Sequence, residues 1–314
     1  MTFTTAQYKF VMPTLEPISF FKWNKPRILI DIRPENAFRK GSLEKARSIP
    51  FEEYYTVEKF LNQKIITHAS EPIHIIDQDG ETAKQLSEFV PMIYLEGGYK
   101  NFKSWRNRVF ETGPQINILG GYTGSGKTRL LNFMNKNGYQ VINLEGLALH
   151  RGSVFGKFRN EIQPSHEHFQ NQLLKIWLNL DNNKPLWIEE KGPFLGQAGI
   201  PESLQKRMKN STLYHLEVPF EERLKYLIKE YRVMDPSDFQ KAIRKLEPRM
   251  GTSNSHKALH FYDSGQIEKC YKILLNYYDN GYDKRRDKDW KGKVVLINHK
   301  HHNLLRTVKQ IQSL

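Results

Sequence analysis

Short apolar runs rich in β-branched residues recur along the first third of the chain. They are RILIDIR (residues 27–33), PIHIID (72–77) and PMIYLEGGY (91–99). Each has the length and composition of a buried parallel strand, and the segment GETAKQLSEF (80–89) has helix-forming residues with helical apolar spacing. Strands that alternate with helices are typical of right-handed β-α-β units. The pattern predicts an α/β domain over residues 1–112.

The segment ETGP (111–114) interrupts this pattern, and a second alternating series follows it. A helix is predicted from about Lys127 to Lys136, and another over residues 166–180. Predicted strands lie at residues 115–121, 139–146, 185–190 and 293–299. Apolar residues recur at helical spacing through most of the final third. We therefore predict a second α/β domain over residues 113–314 with a helical C-terminal part.

The charge and the cysteine content of the sequence limit which partners and which cellular compartment we expect for the protein. Its 48 Lys and Arg residues exceed its 34 Asp and Glu residues, which gives a net charge of +14 and a pI near 9.6. This balance suits nucleic acid or an acidic membrane, although a solvated basic surface is the alternative. The single cysteine excludes an intramolecular disulfide framework and fits a reducing cytosol. Without a secretory signal or an apolar run of about 20 residues, we expect a cytoplasmic protein with no membrane span.

The sequence GYTGSGKT (residues 121–128) follows one predicted strand and opens one predicted helix. Its glycines permit positive φ angles and close backbone approach, so successive N–H groups can point at phosphate oxygens. The lysine adds a positive charge, and the threonine begins a helix whose N-terminus favours an anion. The pattern predicts a P-loop, and thus a P-loop NTPase-like domain. Its predicted phosphate-binding residues are Gly121, Gly124, Ser125, Gly126, Lys127 and Thr128.

A P-loop commonly works with a carboxylate at the end of a neighbouring strand. Glu189 and Glu190 end the apolar run of residues 185–190, and Glu189 follows the apolar residues directly. Together with the Thr128 hydroxyl, Glu189 could hold Mg²⁺. An exposed acid at a strand end is the alternative explanation. The loop alone indicates a phosphate or diphosphate ligand and no particular reaction.

Several ordered blocks resemble one known family. GGYTGSGKT, NLEGLALHRGSVFG (143–156) and QPSHEHFQNQL (163–173) resemble the P-loop half of the tRNA 2-selenouridine synthase family. LEGGYKNFKSW (95–105) resembles the end of that family's rhodanese domain, and LLNYYDNGYDK (274–284) resembles its C-terminal signature. The resemblance spans nearly the whole chain. It implies an N-terminal rhodanese-like domain followed by the P-loop domain.

The resemblance also implies a reaction. The family acts on 2-thiouridine at the wobble position of certain tRNAs: it alkylates the sulfur with geranyl diphosphate, then exchanges the S-geranyl group for selenium from selenophosphate. A departing diphosphate gathers charge that inward N–H groups and Lys127 would stabilise. We therefore expect tRNA and a prenyl diphosphate, or another phosphate-bearing small molecule, as partners. The candidates for a catalytic role are Lys127, Glu189 and Arg151.

The N-terminal half differs from the family at the loop that carries the catalytic cysteine of the family's rhodanese domain. Residues 29–50 resemble the opening of a rhodanese domain, in which a later strand delivers a cysteine into a loop C-x-x-G-x-x-R-S. Matching the strand and Gly80 places Asp77 where that cysteine belongs and Ala83 in the place of the arginine. A carboxylate cannot form a persulfide or perselenide. We expect this domain to be inactive and the selenation step to be lost.

Two further positions bear on this expectation. Cys270 shares a predicted helical face with apolar neighbours, so it is expected to be a core residue and no substitute for the missing thiol. The segment EEKGP (189–193) stands where the family has E-x-E-S-R. Lys191 therefore takes the place of the second acid, and Pro193 that of the arginine.

Basic side chains indicate where tRNA would bind. An arginine fork suits a phosphate group, and a basic segment interleaved with aromatic rings can follow a phosphate backbone. The candidates are His150, Arg151, Arg285, Arg286 and Lys288. For the last three, a solvated charged loop is the alternative. For Arg151 the alternative is an exposed side chain beside a helix-capping Ser153, and for His150 it is a hydrogen-bonded structural residue.

Two other functions stay open on the sequence. One is a nucleotide phosphotransferase or hydrolase that uses its P-loop without tRNA and keeps the rhodanese-like domain as a structural platform. The other is a non-catalytic tRNA-binding relative, which the basic segment would serve.

Overall fold

The structure, a computed structural model, describes residues 14–54, 56–150, 162–231, 234–301 and 303–314, except for the side chains of residues 231 and 284–289. The chain forms two compact units. The first comprises the described residues up to Phe110 together with Ser165–Leu174, and the second comprises those of Glu111–Pro164 and Lys175–Leu314. The sequence pattern alone divides the chain between residues 112 and 113 and leaves Ser165–Leu174 in the second domain.

The first unit is built on a five-stranded parallel sheet with the order β1-β5-β4-β2-β3. Ile30, Ile75 and Met92 from adjacent strands are buried in its core. The three strands predicted from apolar runs are confirmed as β2, β4 and β5. The strands are β1 (Thr14–Leu15), β2 (Ile28–Asp31), β3 (Arg47–Ser48), β4 (Ile73–Ile76) and β5 (Met92–Leu95). The helices are α1 (Pro17–Phe21), α2 (Glu35–Lys40), α3 (Val57–Leu61), α4 (Lys64–Thr67), α5 (Glu81–Ser87) and α6 (Gly98–Val109), with a 3₁₀ turn at Phe51–Glu53.

A buried arginine explains why Ser165–Leu174 belongs to the first unit. Arg106 of α6 is 1% exposed. Its Nη1 donates to Glu167 Oε2 at 3.0 Å and to Asn171 Oδ1 at 2.5 Å, and its Nη2 donates to Gln170 Oε1 at 2.7 Å. A buried charge needs such partners. They come from a segment more than 60 residues away in sequence, so no local pattern could indicate them.

His74 of β4 makes the stability of the first unit depend on pH. Its ring packs against Phe20 and Trp23 with centroid distances of 5.4 and 4.5 Å. Burial, with a smaller contribution from the Arg27 charge, lowers the pKa of His74 from 6.5 to about 4. The unfolded chain therefore takes up a proton before the folded chain does as the pH falls below 6.5. The first unit therefore loses stability as the pH falls below 6.5, and His74 does not change its stability at higher pH.

As the pH falls from about 7 to about 5, we expect His74 to lower the free energy of unfolding of the first unit by about 2 kcal/mol. Urea unfolding at the two pH values measures the loss. His74→Phe, which keeps an aromatic ring between Phe20 and Trp23, should lower the loss by that amount. An equal loss in the variant and the parent would show that His74 is not the group responsible.

The second unit is also built on a five-stranded parallel sheet, with the order β12-β11-β6-β8-β7. Its strands are β6 (Ile116–Gly121), β7 (Gln140–Ile142), β8 (Leu186–Glu189), β11 (Thr212–Glu217) and β12 (Val294–Asn298), while β9 (Phe194–Leu195) and β10 (Ala198–Gly199) form an antiparallel pair. Its helices are α7 (Lys127–Lys136), α8 (Leu144–Leu147), α9 (His166–Trp177, which begins in the first unit), α10 (Glu202–Asn210), α11 (Phe220–Tyr231), α12 (Pro236–Met250), α13 (Thr252–Asp263), α14 (Ile267–Asp289) and α15 (Leu304–Gln312).

Helices α11 to α14 confirm the predicted helical C-terminal part. They enclose an apolar cluster in which Cys270 has no exposed surface. Burial, followed by the charge of Asp263, raises the pKa of the Cys270 thiol to about 12, so it is protonated at neutral pH. The prediction of a core cysteine is confirmed. Among the described residues, none of the helices combines the length and apolar character that crossing a membrane requires.

Candidate phosphate-binding site

The P-loop joins β6 to α7 in the middle of the second sheet. β6 is buried along its whole length and delivers the chain into the loop. Gly124 and Gly126 adopt φ angles of 81° and 80°, a conformation that is strained for residues with a side chain. Gly126 is also the N-cap residue of α7, so the first N–H groups of that helix open onto the loop. The backbone thus forms a cradle suited to an anion.

Lys127 reaches back across this loop. Its ammonium group donates to the Gly121 carbonyl at 2.6 Å and the Tyr122 carbonyl at 3.0 Å, and it lies 3.4 Å from Ser125 Oγ. Burial lowers the pKa of Lys127, while the Glu189 carboxylate opposes that shift. A bound phosphate would replace carbonyl partners by charged oxygens, which form stronger bonds with an ammonium group. Lys127 is therefore held where it can meet an anion in the cradle.

A buried charge cluster lies beside the start of α7. The Thr128 hydroxyl donates to Glu189 Oε2 at 3.1 Å, and Lys191 Nζ lies 2.8 Å from Glu189 Oε1 and 2.5 Å from Glu145 Oε1. Burial disfavours the charged form of Glu189, but Lys191 and Lys127 prevail and lower its pKa. Burial likewise disfavours the charged form of Lys191, but Glu189 and Glu145 prevail and raise its pKa. Glu189 and Lys191 are therefore a charged pair at neutral pH.

Helix α14 contacts one side of the loop through Tyr282. The Tyr282 hydroxyl accepts a hydrogen bond from the Gly121 N–H at 3.3 Å and donates one to the Glu190 carboxylate at 2.5 Å. His215 Nδ1 of β11 lies 3.1 Å from the same hydroxyl oxygen. One phenol thus connects the P-loop to two neighbouring strands.

A buried arginine attaches the helical part to the same loop. Arg223 of α11 is 4% exposed and makes a two-pronged ion pair with Asp279 of α14, at 2.9 and 2.7 Å. Its Nη1 also donates to the Thr123 carbonyl at 3.1 Å. Such paired geometry fixes direction as well as distance. Helices α11 and α14 are thereby held against the P-loop.

A cavity of about 900 Å³ opens at the P-loop. One part of its lining is charged and polar and includes Lys127, Thr128, Glu189 and Lys191. Other lining residues are apolar or aromatic and come from α7, α11, α12 and α14: Phe133, Tyr226, Leu227, Leu246, Tyr277 and Tyr278. Helices α7, α11 and α12 also contribute charged residues: Arg129, Lys136, Glu230 and Arg249. The cavity has the volume and mixed lining of a small-molecule site. It suits a ligand that joins a phosphate group to an apolar group.

The loop at Asp77 in the first unit is an anion cradle that contains its own carboxylate. Asp77 accepts hydrogen bonds from the Gly80 N–H at 2.8 Å and the Ala83 N–H at 3.0 Å, and it is buried. Burial raises the pKa of Asp77, although the two hydrogen bonds oppose the shift. Because these N–H groups serve the carboxylate, they are not offered to an external anion.

The structure brings most of the predicted site residues together. These are Gly121, Gly124, Ser125, Gly126, Lys127, Thr128 and Glu189. His150 lies beyond α8, where its N–H donates to the Glu145 carbonyl at 3.0 Å, and it is not part of the described cavity lining. The remaining candidates fall outside what the structure describes: Arg151, and the side chains of Arg285, Arg286 and Lys288.

Three side chains of the site were missed as site residues by the sequence reasoning. Glu145 closely follows β7 and Lys191 closely follows β8, at the carboxyl edge where parallel strands present functional groups. Because the carboxyl ends of parallel strands meet at one edge of the sheet, the sequence could have predicted that Glu145 and Lys191 lie close together. Tyr282 is 161 residues from the glycine whose N–H it accepts, so no local signal indicates the contact.

The fold and the site define a P-loop α/β protein preceded by a rhodanese-like domain. A family model described as the tRNA 2-selenouridine synthase AAA domain matches residues 114–313, and one described as a rhodanese-like domain matches residues 21–104. The chain belongs to the tRNA 2-selenouridine synthase family, and the resemblance carried by its motifs is confirmed.

Two tRNA 2-selenouridine synthases and one solved structure illustrate what this chain is similar to. A tRNA 2-selenouridine synthase from Shewanella woodyi is 37% identical over 228 residues, which are 62% of this chain and 60% of the relative. One from a Sulfurovum species is 30% identical over 213 residues, 66% of this chain and 57% of the relative. The matched region thus spans less than two thirds of these relatives. The crystal structure of TT1252 from Thermus thermophilus is similar with a TM-score of 0.35 and 14% identity, over 64% of this chain and 98% of that one.

Proposed function

We propose that the P-loop unit binds a prenyl diphosphate and transfers its prenyl group to the sulfur of 2-thiouridine at the wobble position of tRNA. The observation that carries this proposal is the cavity of about 900 Å³, whose lining combines a phosphate cradle with apolar and aromatic side chains. A prenyl diphosphate has the same two parts. Family membership and the names of the relatives support tRNA as the acceptor, as does the net charge of +14.

In the proposed reaction the thiouridine sulfur attacks the first carbon of the prenyl chain. The carbon–oxygen bond breaks with its electron pair passing to the diphosphate, and the N3 proton of the thiouracil ring is released to solvent. The loop N–H groups and Lys127 would stabilise the charge that the diphosphate gains. The aromatic lining residues, among them Tyr226 and Tyr277, would hold the prenyl chain and keep water from its allylic carbon.

The geranyl group is our first choice of prenyl chain, because the family resemblance implies it. Selenium transfer from selenophosphate is not part of the proposal, since the loop that would carry a cysteine holds the buried Asp77 carboxylate. The product proposed for this chain is therefore S-prenylated tRNA. A tRNA acceptor and a single reduced cysteine also support a cytoplasmic location.

The test uses the purified 314-residue chain, tRNA that contains 2-thiouridine, and geranyl diphosphate, with mass spectrometry of the digested nucleosides. We expect an S-geranyl-2-thiouridine nucleoside, and no product from matched tRNA that lacks the sulfur. No alkylated nucleoside with geranyl, dimethylallyl or farnesyl diphosphate would contradict the proposal. Nucleoside triphosphate turnover without tRNA would favour a phosphotransferase or hydrolase, and salt-sensitive tRNA binding without product would favour a non-catalytic relative.

A further inference from the structure

The charge cluster beside α7 stands where P-loop proteins hold a divalent cation. In that class the metal is bound by the Ser or Thr that follows the loop lysine and by an acid after a neighbouring strand. Thr128 and Glu189 occupy these two positions, and the Thr128 hydroxyl donates to Glu189 Oε2 at 3.1 Å. The question is whether a metal ion fits between this pair and a bound phosphate.

The residues present do not fit a divalent cation. Glu189 Oε2 accepts the Thr128 hydroxyl, and Glu189 Oε1 is 2.8 Å from the ammonium group of Lys191. The same ammonium group is 2.5 Å from Glu145 Oε1, so the second nearby carboxylate is engaged as well.

Burial keeps the Lys191 ammonium group in place. The side chain of Lys191 is 12% exposed, and those of Glu145 and Glu189 are 9% and 8% exposed. Little water is available to screen a second cation from the first, and like charges in such a site repel strongly. Lys191 also lines the cavity together with Lys127 and Thr128, so its charge reaches the space that a phosphate would enter.

We propose that Lys191 is a built-in cation that takes the place of the metal, so that the P-loop binds its diphosphate ligand without Mg²⁺. Lys127 supplies one positive charge to the ligand from the loop, and Lys191 supplies a second from the end of β8. Glu145 and Glu189 act as positioning residues that hold the Lys191 ammonium group. The inference rests on the proposed function only in that the ligand carries a diphosphate.

The test is calorimetric titration of the purified chain with inorganic diphosphate, in EDTA and in buffer with excess Mg²⁺. We expect dissociation constants that agree within about threefold, once Mg²⁺ binding to free diphosphate is taken into account. Binding that weakens tenfold or more in EDTA would overturn the proposal. Prenyl transfer is not measured in this titration, so failure here and failure of the nucleoside assay are distinguishable.

Two variants assign the effect to Lys191. Lys191→Glu restores an acid at this position, and its diphosphate binding should become weak in EDTA and recover about tenfold or more with Mg²⁺. Lys191→Met keeps the side-chain length without the charge and should bind about tenfold more weakly in EDTA. Lys225→Glu, at an exposed position of α11, is the matched control and should behave as the parent chain. If Lys191→Met retains parental affinity in EDTA, Lys191 is not the replacement cation, whether or not Lys191→Glu folds.

Discussion

Replacing Lys127 by alanine is expected to weaken the binding of inorganic diphosphate about 100-fold, equivalent to about 2.7 kcal/mol, and to abolish prenyl transfer to tRNA. The ammonium group already lies within the loop, 2.6 Å from the Gly121 carbonyl and 3.0 Å from the Tyr122 carbonyl. Bonds between an ammonium group and charged phosphate oxygens are among the strong ones, and they strengthen as a leaving diphosphate gains charge. The effect on transfer should therefore exceed the effect on binding. Calorimetry and the nucleoside assay measure the two quantities.

Controls separate the lost charge from a damaged loop. Lys127→Met keeps most of the stem and should show a similar loss of affinity, with a thermal midpoint close to that of the parent chain. Lys225→Ala, at an exposed position of α11, removes one positive charge elsewhere in the same unit and should leave binding unchanged. Parental affinity in Lys127→Ala would mean that the diphosphate does not bind in this loop.

The sequence predicts those helices and strands whose own residues carry a clear apolar pattern or a motif. The boundaries of α7 agree with the predicted helix, because a glycine loop starts it and its apolar spacing is local. The sequence pattern does not predict β11 and instead indicates a mostly helical final third. The residues of β11, TLYHLE, mix polar and apolar side chains and form no continuous apolar run, so its place between β6 and β12 becomes clear only from strand pairing.

The residues of the candidate site also fall into two groups, those that the sequence predicts and those that only the structure shows. The loop residues from Gly121 to Thr128 and the acid Glu189 follow from a motif and from the end of an apolar strand. The sequence identifies Lys191 only as a departure from a family pattern, and its contacts with two buried carboxylates become clear from the structure. The sequence does not predict the apolar and aromatic lining of the cavity, because α7, α11, α12 and α14 contribute to it from separate parts of the chain.

Filling the part of the cavity that Gly281 lines should separate diphosphate binding from prenyl transfer. Gly281 of α14 lines the cavity, and a Cβ atom added there would meet no atom within 4 Å. The variant Gly281→Trp can thus add a side chain at this position without a clash at Cβ, and replacing a helical glycine does not weaken the helix. We expect S-geranyl product formation to fall about 100-fold, because an intruding ring and a prenyl chain compete for the same volume.

The affinity of Gly281→Trp for inorganic diphosphate should stay within about threefold of the parent value, since the loop and Lys127 are unchanged. This outcome differs from that of Lys127→Ala, which loses both properties. Gly281→Ala should retain product formation, and Asn280→Trp adds the same ring at an exposed neighbouring position outside the described lining. If Gly281→Trp transfers geranyl groups at the parental rate, the prenyl chain does not occupy this part of the cavity. Equal losses in Gly281→Trp and Asn280→Trp would instead place the effect in α14 itself.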